Sequence, residues 1–268
     1  MDKELLILIA HYNNPEGLEA SLLSIKETIP VDILIVDDGS SLKYNEARLQ
    51  KIYPRGTIFF DALPTNQGVG AAANRALEIA MKKQYRFLGR LDCGDINYPD
   101  KYKKQLTYLN ANPDVKLLGT WARVLDEDGT FLHMLKHPRD YDEIKNKMHL
   151  NSTFLNPSVV FASEILGTVG NYPERYKRAA QDFAFFFNVI KHYKAENLPE
   201  VLMDYIVESH SISTTKRRLQ VKNRIHILCD NFYFGAYPIY GLVRSCILYF
   251  VPRSLGTFIK KSFRKNDD

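Results

Sequence analysis

The sequence predicts an α/β fold, a mixed, mainly parallel sheet flanked by helices, with a helical basic and aromatic extension behind it. Three observations carry that prediction. Apolar runs of strand length alternate with helical stripes through the N-terminal third of the chain. Such alternation implies a largely parallel sheet with right-handed crossovers. Two of the runs lead into aspartate clusters, Asp37-Asp38-Gly39-Ser40 and Asp92-Cys93-Gly94-Asp95. Carboxylates at the carboxyl ends of neighbouring strands gather in the crevice where α/β sheets bind ligands.

Each element has a local cause. Leu5 to Ala10 is a continuous apolar run, short enough for a buried strand. Asn14-Pro15-Glu16 supplies a helix start: a cap, a proline at the first helical position and an early acid. Leu18, Leu22, Leu23 and Ile25 continue it as a stripe that closes near Pro30. Val31 to Val36 and Thr57 to Phe60 read as the next strands, Gly70 to Met81 as an Ala-rich helix, and Arg86 to Leu91 as a fourth strand. Pro99 opens a helix through Tyr108 that Asn112-Pro113 ends. Lys116 to Leu125 and Phe131 to Leu135 read as strands around the turn Asp126-Glu127-Asp128-Gly129. Val159 to Phe161 and Val201 to Val207 are strand-like, and Gln181 to Tyr193 and Lys216 to Phe234 are helical. Ala236 to Val251 is strongly apolar but broken by Pro238, Gly241 and Arg244.

The bulk numbers exclude a disordered chain. The 268 residues are 45% hydrophobic and 25% charged, enough for one large domain, or a domain with an appendage, around a sizeable core. The three cysteines, Cys93, Cys229 and Cys246, lack metal-site spacing and cannot all pair, which fits a reducing compartment. Met1-Asp2-Lys3-Glu4 enters a strand at once, without the charged start and long apolar stretch of a secretory signal, so a cytoplasmic location is expected. The formal charge of +5 is uneven, because residues 214–268 hold 11 Lys+Arg against 3 Asp+Glu. A basic end on a mildly acidic body suggests an anionic partner surface, membrane or nucleic acid.

The motifs, in their order, resemble inverting family-two glycosyltransferases of the GT-A fold, a Rossmann-like architecture, from Leu5 to about Ser213. The aromatic-Asn loop is Ala10-His11-Tyr12-Asn13, and the Asp-Asp-Gly-Ser motif is Asp37 to Ser40. The Asn-x-Gly turn into an Ala/Asn helix is Asn66 to Asn74. The strand that ends in the metal motif is Arg90-Leu91-Asp92-Cys93-Gly94-Asp95, and Pro99, Gln105 and Leu109 follow it in register. Gly167 to Tyr172 and Gln181-Asp182 match the segment with the catalytic base, and Ser211-Ile212-Ser213 the closing Ser-rich motif.

The resemblance implies a nucleotide-sugar donor, most simply UDP-linked, and assigns roles. Tyr12, Asn13, Asp38, Asn66, Gly68, Asn74, Arg90 and Asp92 would bind the donor. Asp38 could accept hydrogen bonds from the base or ribose, although Asp-Asp-Gly-Ser is also good turn chemistry alone. Either Arg75 or Arg90 could neutralise phosphate. Asp92 and Asp95 would hold Mn²⁺ or Mg²⁺, which prefer oxygen ligands. The common family form is Asp-x-Asp-Asp; here its third position is Gly94, so one carboxylate is missing. Glu208 or His210 would occupy the late metal-ligand slot. Asp182 would be the general base.

Beyond Ser213 the match fades, so the chain divides into a GT-A domain, 1–213, and a tail, 214–268. The tail interleaves Lys216, Arg217, Arg218, Lys222 and Arg224 with Phe232, Tyr233, Phe234, Tyr237 and Tyr240. A spanning helix needs about 20 apolar residues, and Arg244 sits within the apolar run, so an interfacial helix on the cytoplasmic face of the inner membrane fits better. The alternative is packing on the catalytic domain or a homo-oligomer contact. Nucleic acid is not expected, since no recognised binding motif accompanies the charge. The expected acceptor is a cell-surface oligosaccharide or a lipid-linked glycan. The alternatives are transfer onto a polyprenol monophosphate and an inactive partner subunit of the same fold.

Overall fold

A computed structural model describes residues 4–176, 179–207 and 217–250. Strand β1 (Leu5–His11) is followed by α1 (Pro15–Ser24), β2 (Asp32–Asp37), α2 (Glu46–Ile52) and β3 (Ile58–Ala62). Then come α3 (Val69–Lys83), β4 (Phe87–Arg90), β5 (Ile96–Asn97), α4 (Lys101–Ala111), β6 (Val115–Asp126) and β7 (Phe131–Leu135). The remainder is α5 (Tyr141–Met148), β8 (Val160–Ala162), α6 (Leu166–Val169), α7 (Gln181–His192), β9 (Lys194–Val207), α8 (Arg217–Asp230) and α9 (Ala236–Phe250).

One nine-stranded sheet runs in the order β3-β2-β1-β4-β8-β6-β9-β5, with β7 paired to β6. Strands β3, β2, β1 and β4 are mutually parallel, whereas β8 is antiparallel to both β4 and β6. The sheet is therefore mixed, as expected. Both its faces are covered, which is why β1 and β2 read as unbroken apolar runs; Leu6 to Ile9 are fully buried. The parallel register brings His11, Asp37 and Arg90, at the carboxyl ends of β1, β2 and β4, to one edge of the sheet.

Local chemistry sets the helices that flank this edge. Asn14 Oδ1 accepts the Gly17 amide at 2.9 Å, and Pro15 opens α1. Helix α3 packs small Ala72, Ala73, Ala76 and Ala80 onto the sheet. Helix α7 is fixed by Phe183, Phe185, Phe186 and Phe187, all buried; burying one such side chain contributes about 1.5–3 kcal/mol.

Several elements differ from the sequence reading: it gave no α2, β5, α5 or α6, and α8 ends at Asp230 and not at Phe234. Strand β9 begins at Lys194, not Val201, because it pairs with β6 despite its charges and Pro199. Helix α9 is continuous through the expected breakers: Pro238 lies in its first turn, where no helical N–H is lost. Gly241 packs closely; a Cβ there would lie 2.1 Å from the His149 carbonyl oxygen. Ile227 and Leu228 of α8 belong to the same core as the sheet.

Candidate active site

Two loops at the sheet edge are tied to each other before any ligand arrives. Asn13, at a left-handed φ of 50°, accepts the Ser41 and Leu42 amides at 2.8 and 3.0 Å. Its own amide donates to Ser40 Oγ at 2.9 Å. The Asn14 amide donates to His11 Nε2 at 3.2 Å, which leaves the imidazole proton on Nδ1 to meet Asp37 Oδ1 at 3.1 Å. Burial lowers the His11 pKa and outweighs Asp37, keeping the ring neutral. Burial raises the Asp37 pKa, but Lys43 at 2.5 Å, Ser40 and His11 together hold it below the ordinary carboxylate value.

Several residues expected at the donor or the metal already have partners within the protein. Both Asp38 oxygens are spent on the Gln67 and Gly68 amides, each at 2.8 Å, and the carboxylate is buried. Asn74 exchanges two 2.9 Å hydrogen bonds with the Tyr172 backbone. Asp95 is buried, and its Oδ1 accepts the Ile206 amide at 2.8 Å. The cause in each case is the same: a buried backbone N–H or C=O needs a partner, and these side chains supply it. Of the two arginines, Arg75 is paired with Asp61 at 2.7 Å. Tyr12 stands exposed in the β1 loop. Glu208, His210 and Ser211 to Ser213 lie outside the described residues.

The remaining candidates converge. Arg90, Asp92 and Asp182 line one cavity of about 510 Å³ with His137, Tyr172 and Gln181. Arg90 is 1% exposed. Its Nη2 reaches Asp92 Oδ1 at 3.3 Å, while Nε and Nη1 have no partner among the described residues. Asp182 sits in the first turn of α7. Burial raises its pKa, the Phe183 amide opposes that, and the Asp92 charge adds to the rise. A second cavity, about 540 Å³, is lined by Asn66, Gly68, Asn74 and Arg75. Gly70 and Gln181 line both cavities. A Cβ on Gly70 would sit 1.9 Å from Gln181 Oε1, so glycine permits this close approach.

Three contributors were given no role of their own by the sequence reading. Ser21 Oγ accepts the Gly94 amide at 2.9 Å and donates to the Asp95 carbonyl at 2.8 Å, pinning the loop that carries Asp92. His137 is held neutral, its pKa lowered to about 4 by burial. Its Nε2 is buried without a partner among the described residues. Tyr172 packs its ring 5.8 Å from the Arg90 guanidinium. Tyr172 closes the matched Gly167–Tyr172 segment, and Ser21 left a trace as a small polar residue on the apolar face of the Leu18–Leu22 stripe.

The sequence model of Glycosyl transferase family 2 matches residues 6–166, more than half of the chain. The chain belongs to that family. An uncharacterised glycosyltransferase of Methanocaldococcus jannaschii is 30% identical over 97% of this chain and 93% of its own length. An Escherichia coli UDP-Gal:alpha-D-GlcNAc-diphosphoundecaprenol beta-1,3-galactosyltransferase is 26% identical over 85% of this chain and 82% of its own. Among solved structures, S. aureus TarS 1-349 in complex with UDP-GlcNAc has a TM-score of 0.69, with 15% identity over 92% of this chain and 72% of that one. The Pyrobaculum calidifontis mannosyltransferase PcManGT, in complex with GDP-Man and Mn²⁺, has a TM-score of 0.65, with 15% identity over 98% of this chain and 80% of that one. The structural likeness shows the GT-A fold of this family 2 glycosyltransferase. No group of three or more His, Cys, Asp or Glu side chains among the described residues forms a metal cage. Asp92, with its side chain 37% exposed beside the cavity, suits a cation that keeps waters and takes its other ligands from a diphosphate.

Proposed function

We propose that this glycosyltransferase moves a sugar from a UDP-linked donor, with inversion, to a cell-surface glycan or a lipid-linked acceptor. The observation that carries the reading is the shared cavity of Asp92, Arg90 and Asp182. The acceptor hydroxyl attacks the anomeric carbon, the bond to the donor phosphate breaks, and Asp182 takes the hydroxyl proton. Burial and the Asp92 charge favour that protonation. Arg90, whose Nε and Nη1 have no partner among the described residues, would supply positive charge to the departing diphosphate, where negative charge grows during the reaction. Asp92 would hold Mn²⁺ or Mg²⁺, which when bound neutralises the same leaving group. Gly68 and Gly70 admit the donor close to the backbone. The UDP preference is supported by the names of the E. coli relative and of the TarS complex.

The test pairs binding with turnover. UDP- and GDP-sugars are screened with Mn²⁺ or Mg²⁺ for thermal stabilisation, since a ligand of the folded form raises its apparent stability. Asp182→Asn is expected to keep the stabilisation and lose transfer. Asp92→Asn is expected to lose both. A wild type that no donor stabilises, or an Asp182→Asn variant with full turnover, would reject the proposal, and a product with the donor's own anomeric configuration would reject inversion.

A further inference from the structure

Helix α9 shows solvent an uncharged face. Ile239, Tyr240, Val243, Ile247 and Phe250 stand on its outer side, 47–81% exposed, and Phe234 in the preceding turn is 93% exposed. These positions fall on one side of a helix and form a continuous stripe. The opposite side is built from Pro238, Gly241 and Ser245 and is buried against the body. The helix is thus seated by its small residues and carries its large apolar side chains outward, the reverse of a helix adapted to water.

The charges near it in the chain are mostly basic. Arg244, the one charged residue of α9, turns inward, and its Nη1 donates to the Leu150 carbonyl at 2.9 Å. Arg224 of α8 donates to the same carbonyl and, at 2.6 Å, to Asn151 Oδ1. Neither guanidinium has a carboxylate partner among the described residues. Arg218 and Lys222 are exposed on α8, and the sequence after α9 adds Arg253, Lys260, Lys261, Arg264 and Lys265. The clamped segment leads to the cavity, because Asn151, Ser152 and Gln220 of α8 all line it.

We propose that α9 docks on the surface of an anionic bilayer, stripe in the headgroup–acyl boundary and basic neighbours on the headgroups. The Arg224–Arg244 clamp on Leu150 then couples the docked helix to the cavity wall. Seating on a membrane would turn that wall toward an acceptor carried in the lipid, a clause that rests on the sugar-transfer reading. A bilayer suits the stripe, since the exposed cations Arg218 and Lys222 of α8, the helix packed beside α9, complement anionic headgroups. Spanning does not suit it. The 15 residues of α9 reach about 22 Å at about 1.5 Å per residue, short of a hydrocarbon core of about 30 Å. Among the described residues no helix is long and apolar enough to cross a membrane.

The experiment is sedimentation of the full chain with vesicles of phosphatidylglycerol and phosphatidylcholine, or of phosphatidylcholine alone, at low and high salt. The wild type should sediment with the anionic vesicles and bind neutral ones, or either in high salt, at least about tenfold more weakly. Tyr240→Ser/Ile247→Ser should lose at least about tenfold on anionic vesicles, with thermal melting in their absence to check its fold. Phe234→Ser, outside the helix, is carried in parallel and should weaken binding in the same direction. A wild type left in the supernatant, or variants that bind as tightly, would overturn the proposal. So would a stable dimer that the double variant disperses, which would assign the stripe to a second copy. The donor-induced thermal shift, read without vesicles, separates the two readings: a normal shift with no sedimentation removes only the docking.

Discussion

The two aspartate pairs of this site, Asp37 with Asp38 and Asp92 with Asp182, are used in opposite ways. The first pair is saturated by the protein. Asp37 takes Lys43, His11 and Ser40, and Asp38 takes two backbone amides. The second pair faces a cavity, and the guanidinium beside it keeps two N–H groups unpaired. Buried polar groups without partners are costly, so proteins leave few of them. Where a fold satisfies one set of carboxylates completely and leaves another set open around a cavity, the first set builds the framework and the second is reserved for what enters. In this molecule the motif that most resembles a nucleoside contact, Asp38, already carries two hydrogen bonds of the framework.

The largest effects should separate the two sets cleanly. Arg90→Met is expected to lower kcat/KM by about 10²–10³-fold, the loss typical of one removed transition-state donor. Its melting temperature should not fall, because the substitution also removes two buried N–H groups that lacked partners. Asp38→Ala should do the reverse. It strands the Gln67 and Gly68 amides, at a cost of about 1–3 kcal/mol in stability, and its activity loss should follow the unfolded fraction and a raised donor KM. Urea unfolding beside steady-state kinetics checks both. An Arg90→Met protein that merely melts early, or an Asp38→Ala protein that melts normally but cannot bind donor, would invert the comparison.

The sequence made some of this division legible and hid the rest for a physical reason. Asp92 and Asp182 could be placed at a strand end and a helix start because those are local events, written in apolar runs and turn residues, while their roles came from the family resemblance. The hydrogen bonds that hold Asp38 and Asp95 could not be found, because their partners lie far along the chain, at Gln67, Gly68 and Ile206. Likewise Ser21 meets the Asp92–Asp95 loop only once α1 has packed beside it. His137 carries no local mark, and Tyr172 ends a matched motif that gave it no role; only the folded cavity collects them. The tail shows the same limit in secondary structure. Pro238 and Gly241 read as breaks, yet one falls in a first turn and the other is needed for close packing on His149. The nine-stranded order, with β8 antiparallel between β4 and β6, also lay beyond periodicity, which carries no pairing direction.

Acidity gives a second, intermediate test of the reserved pair. The folded-state pKa of Asp182 is raised above the ordinary carboxylate value, chiefly by burial and further by Asp92. Between the unfolded and folded values the native protein binds more protons, so this group makes stability fall as pH rises through that window. Above the folded value the loss is complete. Asp182→Asn removes it, so the variant should melt at or above the wild type at pH 7, and the two should coincide below both pKa values. The same shift moves the acid limb of kcat/KM above the ordinary carboxylate range, because the base must be ionised to accept a proton. Asp92→Asn removes a raising charge, so carbon NMR should find Asp182 titrating at lower pH in that variant. An unmoved titration would mean that the two carboxylates do not share the cavity electrostatically.

The smallest expected effect falls on Asn74, and it decides which side of the division that residue belongs to. Its side chain closes a reciprocal pair of hydrogen bonds with the Tyr172 backbone, and the Tyr172 ring in turn packs near Arg90. As framework, Asn74→Ala should lower stability by about 1–3 kcal/mol, two net hydrogen bonds of about 0.5–1.5 kcal/mol each. The donor-induced thermal shift should persist, and kcat should fall only modestly as Tyr172 loosens behind the guanidinium. As a direct donor contact, the same change should leave melting nearly unaltered and raise the donor KM about tenfold, the cost of one lost hydrogen bond to a charged group. Because Asn74 also lines the second cavity, either result is physically open to it. The two reciprocal bonds, already made without a ligand, place it in the framework with Asp38.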